Sequence, residues 1–529
     1  MAEVSQEDRA TRDTGGDIRS RDPIGWLTRP WDDAGCSASP PTLTHRLEDA
    51  LVLHSPRYLP RVTPLASLLV HGSVGVVWLL LFASAFAVGG VYAWSTGIAY
   101  ILYDTLLLAF VGWQTWVLLR PPPAVSAGSR AETLGVVVAS HNEGKVLPQS
   151  VASLLAQDEP PDAIVIADDG SSDDTSALLV TRFGFVEPAL GAWATSTTIP
   201  TLHWLRVAHG GKARALNAAL VSPIEACRTA VVMTVDADTH LSPGAIRAMR
   251  HAFSNEPQLV AATGVLVPVC GPSLTGRLFQ WFQTYEYIRN FLSRYAWMRV
   301  DSLLLISGAF AGFRREAVVT VGGFDPNCLV EDYELIHRLA RYSSLNDLGW
   351  RSRVIGDAQA QTEAPSTTAA FLRQRRRWFG GFLQTQYWYR GMVGDGRRYG
   401  NVGRWMLPVK AVDTMQPIFG LTALGILIVA LAQGRLSVLL PVSAWIIAKI
   451  SIDLGFHLWS VHLYRRWIGE KTRVSFGFAL LAALAEPFSF QVLRHVGATL
   501  GWVTFLTRQR EWGKQERLAV IGEGVVKDH

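Results

Sequence analysis

Two aspartates stand two apart in VDADTH (235–240), where Asp236 and Asp238 follow the apolar run AVVMTV (230–235). Side chains two apart on a strand face the same way. Carboxylates so placed repel unless a cation lies between them, and hard divalent ions such as Mg2+ or Mn2+ take carboxylate and phosphate oxygens. The pair is therefore a candidate to bridge a metal to a diphosphate; the plain alternative is an acidic turn solvated at a sheet edge. Upstream, HGGKARALN sets Lys212 behind two glycines, a phosphate contact by its chemistry but a weak motif alone. In LVEDYELIHRL, Glu331 and Asp332 open a helical pattern with Leu335, Ile336 and Leu339 on one stripe. The helix dipole favours acids there in any case. The functional alternative makes Asp332 a general base over an acceptor hydroxyl.

A basic block completes the set. QRRRW (374–378) lies in a helical context, so Gln374, Arg377 and Trp378 share one face while Arg375 and Arg376 point elsewhere as a basic back. On spacing alone that block reads as a charged helix beside a membrane. SHNE (140–143) carries Asn142 and Glu143, and DDGSSDDT (168–175) carries Asp169. Either could be an ordinary capped turn. At the ends of neighbouring strands they line one crevice, as a nucleoside pocket would.

The elements that must hold these residues are legible as patterns. LGVVVAS (134–140), AIVIA (163–167) and AVVMTV are short, apolar and β-branched, as buried parallel strands are. Between the first two, EGKVLPQSVASLLAQ has helical spacing. Alternating strands and helices predict a doubly wound, mostly parallel α/β sheet with ligands at the carboxyl ends of its strands. Elsewhere the chain is too apolar for a soluble protein. Hydrophobic residues make up 49% and charged residues 18%, and the 42 residues between Arg61 and Asp104 contain no Asp, Glu, Lys or Arg. About 20 such residues span a bilayer. Spans are expected near 65–90 and 97–119, with Arg57, Arg61, Arg120 and Arg130 placing both outer flanks in the cytoplasm. Hydrophobic character returns at 414–434, at 436–464 (where Lys449 and Asp453 can neutralise each other) and at 474–507, which Pro487 turns into a hairpin or re-entrant pair. YRRWIGEKTR (464–473) and TRQREWGKQER (507–517) are basic and expected in the cytoplasm. Residues 1–55 are polar, lack the apolar core of a signal peptide and predict a disordered cytosolic extension. Cys36, Cys227, Cys270 and Cys328 have no metal-type spacing and read as reduced thiols.

The ordered series SHNE, DDGS, GGKARALN, DAD, SGAFAGFRREAVVTVGGFD, VED and QRRRW resembles the membrane-embedded family-2 glycosyltransferases, over about residues 132–390. Within them, LVEDYEL, TEAPSTTAAFLRQRRRW and WGKQER are most similar to the poly-β-1,6-N-acetylglucosamine synthases, and more distantly to hyaluronan and cellulose synthases. The resemblance implies a GT-A domain at 130–370, after two transmembrane helices at 56–122. It is followed by an amphipathic interface helix at 371–400, C-terminal transmembrane helices at 406–508 and a basic tail at 509–529. It implies that Asn142, Glu143, Asp169 and Lys212 bind the nucleotide sugar, with Asp236, Gln374 and Arg377 on the diphosphate. Asp236 and Asp238 would hold Mg2+ or Mn2+, Asp332 would be the base, and Gly308, Glu331 and Trp378 would meet the acceptor. The expected partners are a UDP-sugar (N-acetylglucosamine preferred, glucose second), a glycan acceptor, the bilayer of a bacterial cell membrane and a small accessory membrane subunit, with no nucleic acid. His141 departs from the Tyr common before Asn-Glu, and Val330 from the Thr common before Glu-Asp; the gating loop and cyclic-dinucleotide domain of cellulose synthases have no counterpart. The rival readings are a non-processive enzyme acting on a lipid or short acceptor, a retired receptor or scaffold, and a transporter.

Overall fold

The computed structural model describes residues 45–120, 132–469, 475–508 and 521. The linker after Arg120, the basic segments at 470–474 and 509–517, and the first 44 residues lie outside them. Nine strands form one sheet: β1 (Leu134–Ser140), β2 (Ala163–Asp169), β3 (Trp193–Thr195), β4 (Leu202–Val207), β5 (Val231–Asp236), β6 (Thr239–Leu241), β7 (Leu259–Val269), β8 (Phe310–Arg314) and β9 (Arg351–Glu363). Their spatial order is β3-β4-β2-β1-β5-β8-β7-β9-β6. Strands β4, β2, β1 and β5 are parallel, with Val137 beside Val165 and Thr234. These strands are buried on both faces, which is why their sequences are nearly continuous β-branched runs rather than alternating ones.

The sheet is mixed: β7 and β9 also run parallel, while β3 is antiparallel to β4. Beyond β5, β8 joins antiparallel to both β5 and β7, and β6 antiparallel to β9. The short FAGFR strand carries no β-branched residue, and its Phe310 and Gly312 instead fit the crowded middle of the sheet. Gly264 of β7 is required there: a Cβ would lie 1.9 Å from the Phe310 ring.

Three helices frame the carboxyl ends of the strands. Glu331–Leu345 buries Leu335, Ile336 and Leu339 against the sheet, as its stripe predicts. Leu274–Arg299 starts where the Ser273 hydroxyl accepts from Gly276 N. Thr368–Trp388, carrying QRRRW, starts where the Thr367 hydroxyl accepts from Ala370 N. Each cap satisfies a backbone donor that the first turn leaves open.

Among the described residues, four helices are long and apolar enough to cross a membrane: Leu65–Ala87, Gly90–Leu119, Gly396–Ala432 and Leu436–Ile468. Phe476–Phe488 and Phe490–Thr507 meet at 50° next to Pro487. Lys449 pairs with Asp453, as the spacing suggests, and also with Asp104 at 2.8 Å from a neighbouring helix. One expectation changes. Residues His45–His54, read as part of a disordered extension, form a helix with Leu47 and Leu51 buried. The backbone of Leu51 closes on Gly322 of the α/β domain.

Candidate active site

At the first end of the crevice, β1 and β2 deliver SHNE and DDGS side by side. Asn142 adopts φ 58°, a left-handed conformation that asparagine tolerates better than most residues. Its side-chain oxygen accepts from Ser172 N (2.7 Å) and Asp173 N (3.1 Å). The Glu143 carbonyl accepts from Val146 N and Leu147 N as the next helix begins. Asp169, buried at the end of β2, accepts from Gly210 N (2.8 Å), Gly211 N (2.9 Å) and His209 Nδ1 (2.9 Å). Thus Asn142 and Asp169 hold the loops that shape this end of the crevice. His141 and His209 stack with ring centroids 4.2 Å apart. The nitrogens of these two histidines and an Asp169 oxygen lie within 4.8 Å of one another, close enough to converge on a cation. With three N–H groups already on its carboxylate, Asp169 serves the loops first.

In the centre, the helix Lys212–Val221 begins with the lysine itself, after Gly211 at φ 95°. Lys212 Nζ lies 2.5 Å from Asp236 Oδ1 and 3.9 Å from Glu331 Oε1. Burial pulls the Lys212 ammonium down, but Asp236 and Glu331 outweigh it and hold it above its ordinary value. Burial pushes the Glu331 carboxyl up, against the pull of Lys212. Arg377 of the QRRRW helix also draws the Glu331 carboxyl down electrostatically. Asp238 turns inward, its Oδ1 3.4 Å from the hydroxyls of Thr239 and Thr362. Asp236 and Asp238 offer the hard oxygen donors that Mg2+ or Mn2+ takes, with Lys212 already answering the charge of Asp236. The donor set fits such an ion.

At the far end, Asp332 Oδ2 accepts from Gly308 N at 2.5 Å and Oδ1 from Tyr333 N at 2.8 Å. The Gly308 carbonyl accepts from Thr234 of β5 (3.1 Å), so the loop before β8 is pinned to the sheet and to the acid together. A Cβ on Gly308 would sit 2.9 Å from Asp332 Oδ2. The structure therefore shows Gly308 fixing Asp332, a positioning contact that the sequence does not reveal.

In QRRRW, Gln374 Oε1 is buried without a hydrogen-bond partner among the described residues. The arginines of the basic back have partners within the protein. Arg375 pairs with Glu286 of Leu274–Arg299 at 2.7 Å, and its guanidinium lies 4.6 Å from the ring centroids of both Phe371 and Trp378. Arg376 Nε donates to Thr504 Oγ1 at 2.6 Å. Glu286 and Arg375 are 89 residues apart in sequence, so only the fold couples them to Trp378.

Asp236, Lys212, Glu331, Asp332 and Gly308 thus form one continuous line at the carboxyl end of the sheet. The sequence of the family described as "Glycosyl transferase family group 2" matches residues 231–506, and that of "Glycosyl transferase family 2" residues 135–322. The chain belongs to glycosyltransferase family 2. Curated relatives include poly-beta-1,6-N-acetyl-D-glucosamine synthases of Staphylococcus epidermidis (26% identical over 260 residues) and Staphylococcus aureus strain COL (28% over 254 residues). The alignments cover 48% and 47% of this chain and 55% and 54% of those proteins. The chain spans about half the length of the curated relatives it matches. A solved mannosyltransferase from Pyrobaculum calidifontis, in complex with GDP-Man and Mn2+, superposes with a TM-score of 0.50 at 18% identity, covering 75% of this chain and 99% of that one. That likeness supports the GT-A fold. The family-2 chain accordingly carries a GT-A domain flanked by apolar helices.

Proposed function

We propose that this glycosyltransferase moves a sugar from a UDP-sugar, by preference UDP-N-acetylglucosamine, onto a growing polysaccharide. In this reading it is processive, is coupled to export, and sits in a bacterial cell membrane with the GT-A domain in the cytoplasm. The observation that carries it is the Asp332 carboxylate fixed by Gly308 N beside the Lys212–Asp236 pair. The synthases named above favour N-acetylglucosamine. His141, Asn142, Glu143 and Asp169 with its loops form the nucleoside end, and Lys212, Gln374 and Arg377 bind the diphosphate. Trp378, Glu331 and Gly308 meet the acceptor, with the indole beneath its sugar ring.

The reaction is a direct, inverting displacement. Asp332 takes the proton of the acceptor hydroxyl as its oxygen bonds to the anomeric carbon. The bond from that carbon to the UDP oxygen breaks, and its electron pair leaves with the diphosphate. Lys212 and Arg377 stabilise the departing charge, the arginine through its planar array of donors. When bound between Asp236 and Asp238, Mg2+ or Mn2+ would supply further neutralisation of that charge.

The test is UDP release by purified membranes given a panel of UDP-sugars with Mg2+ or Mn2+, beside Asp332→Asn. Turnover of one donor that the variant abolishes supports the reading and names the sugar. Sizing the product then separates a polymer from single transfers. Turnover of none by the wild type, with acceptors supplied, sinks it.

A further inference from the structure

The helix Thr368–Trp388 reaches the Asp332 end of the crevice through one face. Gln384 Oε1 accepts from Leu329 N at 2.9 Å, and Gly381 lies so close to Val330 that a Cβ there would collide with its Cγ2. Glu331 and Asp332 follow Val330 directly. Gln374, Arg377, Trp378 and Gly381 stand at i, i+3, i+4 and i+7, which is one face of a helix. The face that Gly381 lays on Val330 is thus the face that carries Trp378.

Trp378 is half-buried, and the Arg375 guanidinium lies over its ring, 4.6 Å from the centroid. A cation over one face of an indole fixes the plane of the ring and leaves the other face to a sugar. Arg375 is held in turn by Glu286, whose buried side chain is 2.7 Å away. Glu286 Oε1 also faces Arg494 Nε at 3.6 Å. Arg494 reaches Glu486 at 3.0 Å, where Arg289 arrives at 2.5 Å. Three arginines share two buried acids, so neither acid is spare. Without Glu286, Arg375 would be a charge drawn into protein with no carboxylate beside it, the costly half of a broken pair. We propose that Glu286 is a positioning residue for the acceptor: through Arg375 it sets the plane of Trp378 on which the terminal acceptor sugar stacks. This rests on the reading of Trp378 as the acceptor platform of a UDP-sugar transferase. Loss of Glu286 therefore weakens acceptor binding and spares the nucleotide.

The experiment uses the full chain in nanodiscs with UDP bound, and reads the Kd of a fluorescein-labelled β-1,6-linked N-acetylglucosamine tetrasaccharide by anisotropy. UDP binding is followed separately by calorimetry. Glu286→Gln should raise the tetrasaccharide Kd about tenfold or more, as the loss of a positioning contact does. Its UDP Kd should stay within about twofold, which also reports that the variant is folded. Glu286→Asp, which keeps the charge, should recover part of the affinity. The double variant Glu286→Gln with Arg375→Gln leaves no uncompensated charge; it should bind UDP normally and still bind the tetrasaccharide poorly. In a Trp378→Leu background, Glu286→Gln should add less than about a twofold loss, because the two act through one ring. Unchanged tetrasaccharide affinity in either Glu286 variant that binds UDP overturns the inference and leaves the function standing. A full further loss in the Trp378→Leu background also overturns it, since the acid would then act by another route. A wild type that releases UDP but binds no tetrasaccharide overturns this inference alone. A wild type inactive with every UDP-sugar sinks the functional reading and this inference with it.

Discussion

Asp332 and Gly308 make one unit although 24 residues separate them. An acid serving as a base must hold one orientation, and a backbone N–H at 2.5 Å supplies it without a side chain that a substrate could displace. Asp332→Asn should therefore lower kcat by at least ~10²-fold, the usual share of general-base catalysis. Gly308→Ala should lower kcat by about tenfold or more while UDP affinity stays near that of the wild type, because the added Cβ collides with Asp332 Oδ2 and not with the nucleotide end. Steady-state rates beside UDP calorimetry check both, and an unimpaired alanine variant would refute the positioning role. At this scale the sequence displays the acids and the basic block, since motif order identifies them. It does not display Gly308 N or the Glu286–Arg375 pair. Those depend on which faces of distant helices meet, and no local spacing encodes that.

Helices turn these residues into a site by approaching one another closely. Thr368–Trp388 lies against Phe490–Thr507, where a Cβ on Gly501 would stand 2.6 Å from Phe379 Cβ and 2.8 Å from Gly380 N. Small residues at such crossings allow backbones to touch. Gly501→Leu should force QRRRW away from Glu331, costing ~1–3 kcal/mol as overpacking does and reducing transfer about tenfold or more. Gly425→Leu, at a position with open space around it, should change neither melting temperature nor rate. The helix Glu331–Leu345 has a pH dependence of its own. His337 is fully buried, and burial lowers its pKa from 6.5 to about 4. The unfolded chain binds this proton first as pH falls, so stability is complete above about 6.5 and declines toward pH 4, by at most about 3 kcal/mol. His337→Phe should flatten melting temperature against pH across that window; an unaltered slope would remove His337 as its cause. Apolar stripes, β-branched runs and Pro487 made most elements legible. The antiparallel insertion of β8 is not, because FAGFR lacks the β-branched signature and gains its strand character from its neighbours.

Across the whole molecule, the segment before the first apolar helix joins the α/β domain to the helix that carries QRRRW. Arg57 pairs with buried Asp325 at 2.6 Å, lies 4.4 Å from the Tyr58 ring centroid, and reaches the ring of Trp388 at 5.6 Å. The polar composition of residues 1–55 reads as disordered, and ten residues with a few apolar positions make no stable helix alone. Docking against the domain decides the matter, with Leu47 and Leu51 supplying the apolar contact and Arg57 the charge. Burial pushes the Asp325 carboxyl up and Arg57 holds it down. Arg57→Met leaves that carboxylate uncompensated, which should cost ~3–5 kcal/mol near neutral pH. The sign with pH follows: without its guanidinium the folded carboxyl binds a proton more readily than the unfolded one. The deficit relative to wild type should then grow as pH rises through the raised folded pKa and shrink in acid. Arg57→Met with Asp325→Leu removes both charges and should recover most of the loss. Melting temperatures of the wild type and the two variants at pH 5 and 7.5 test this. If Arg57→Met is equally destabilised at both pH values, lost packing on Tyr58 and Trp388 is what Arg57 contributes, and the charge pair is not the joint between segment and domain.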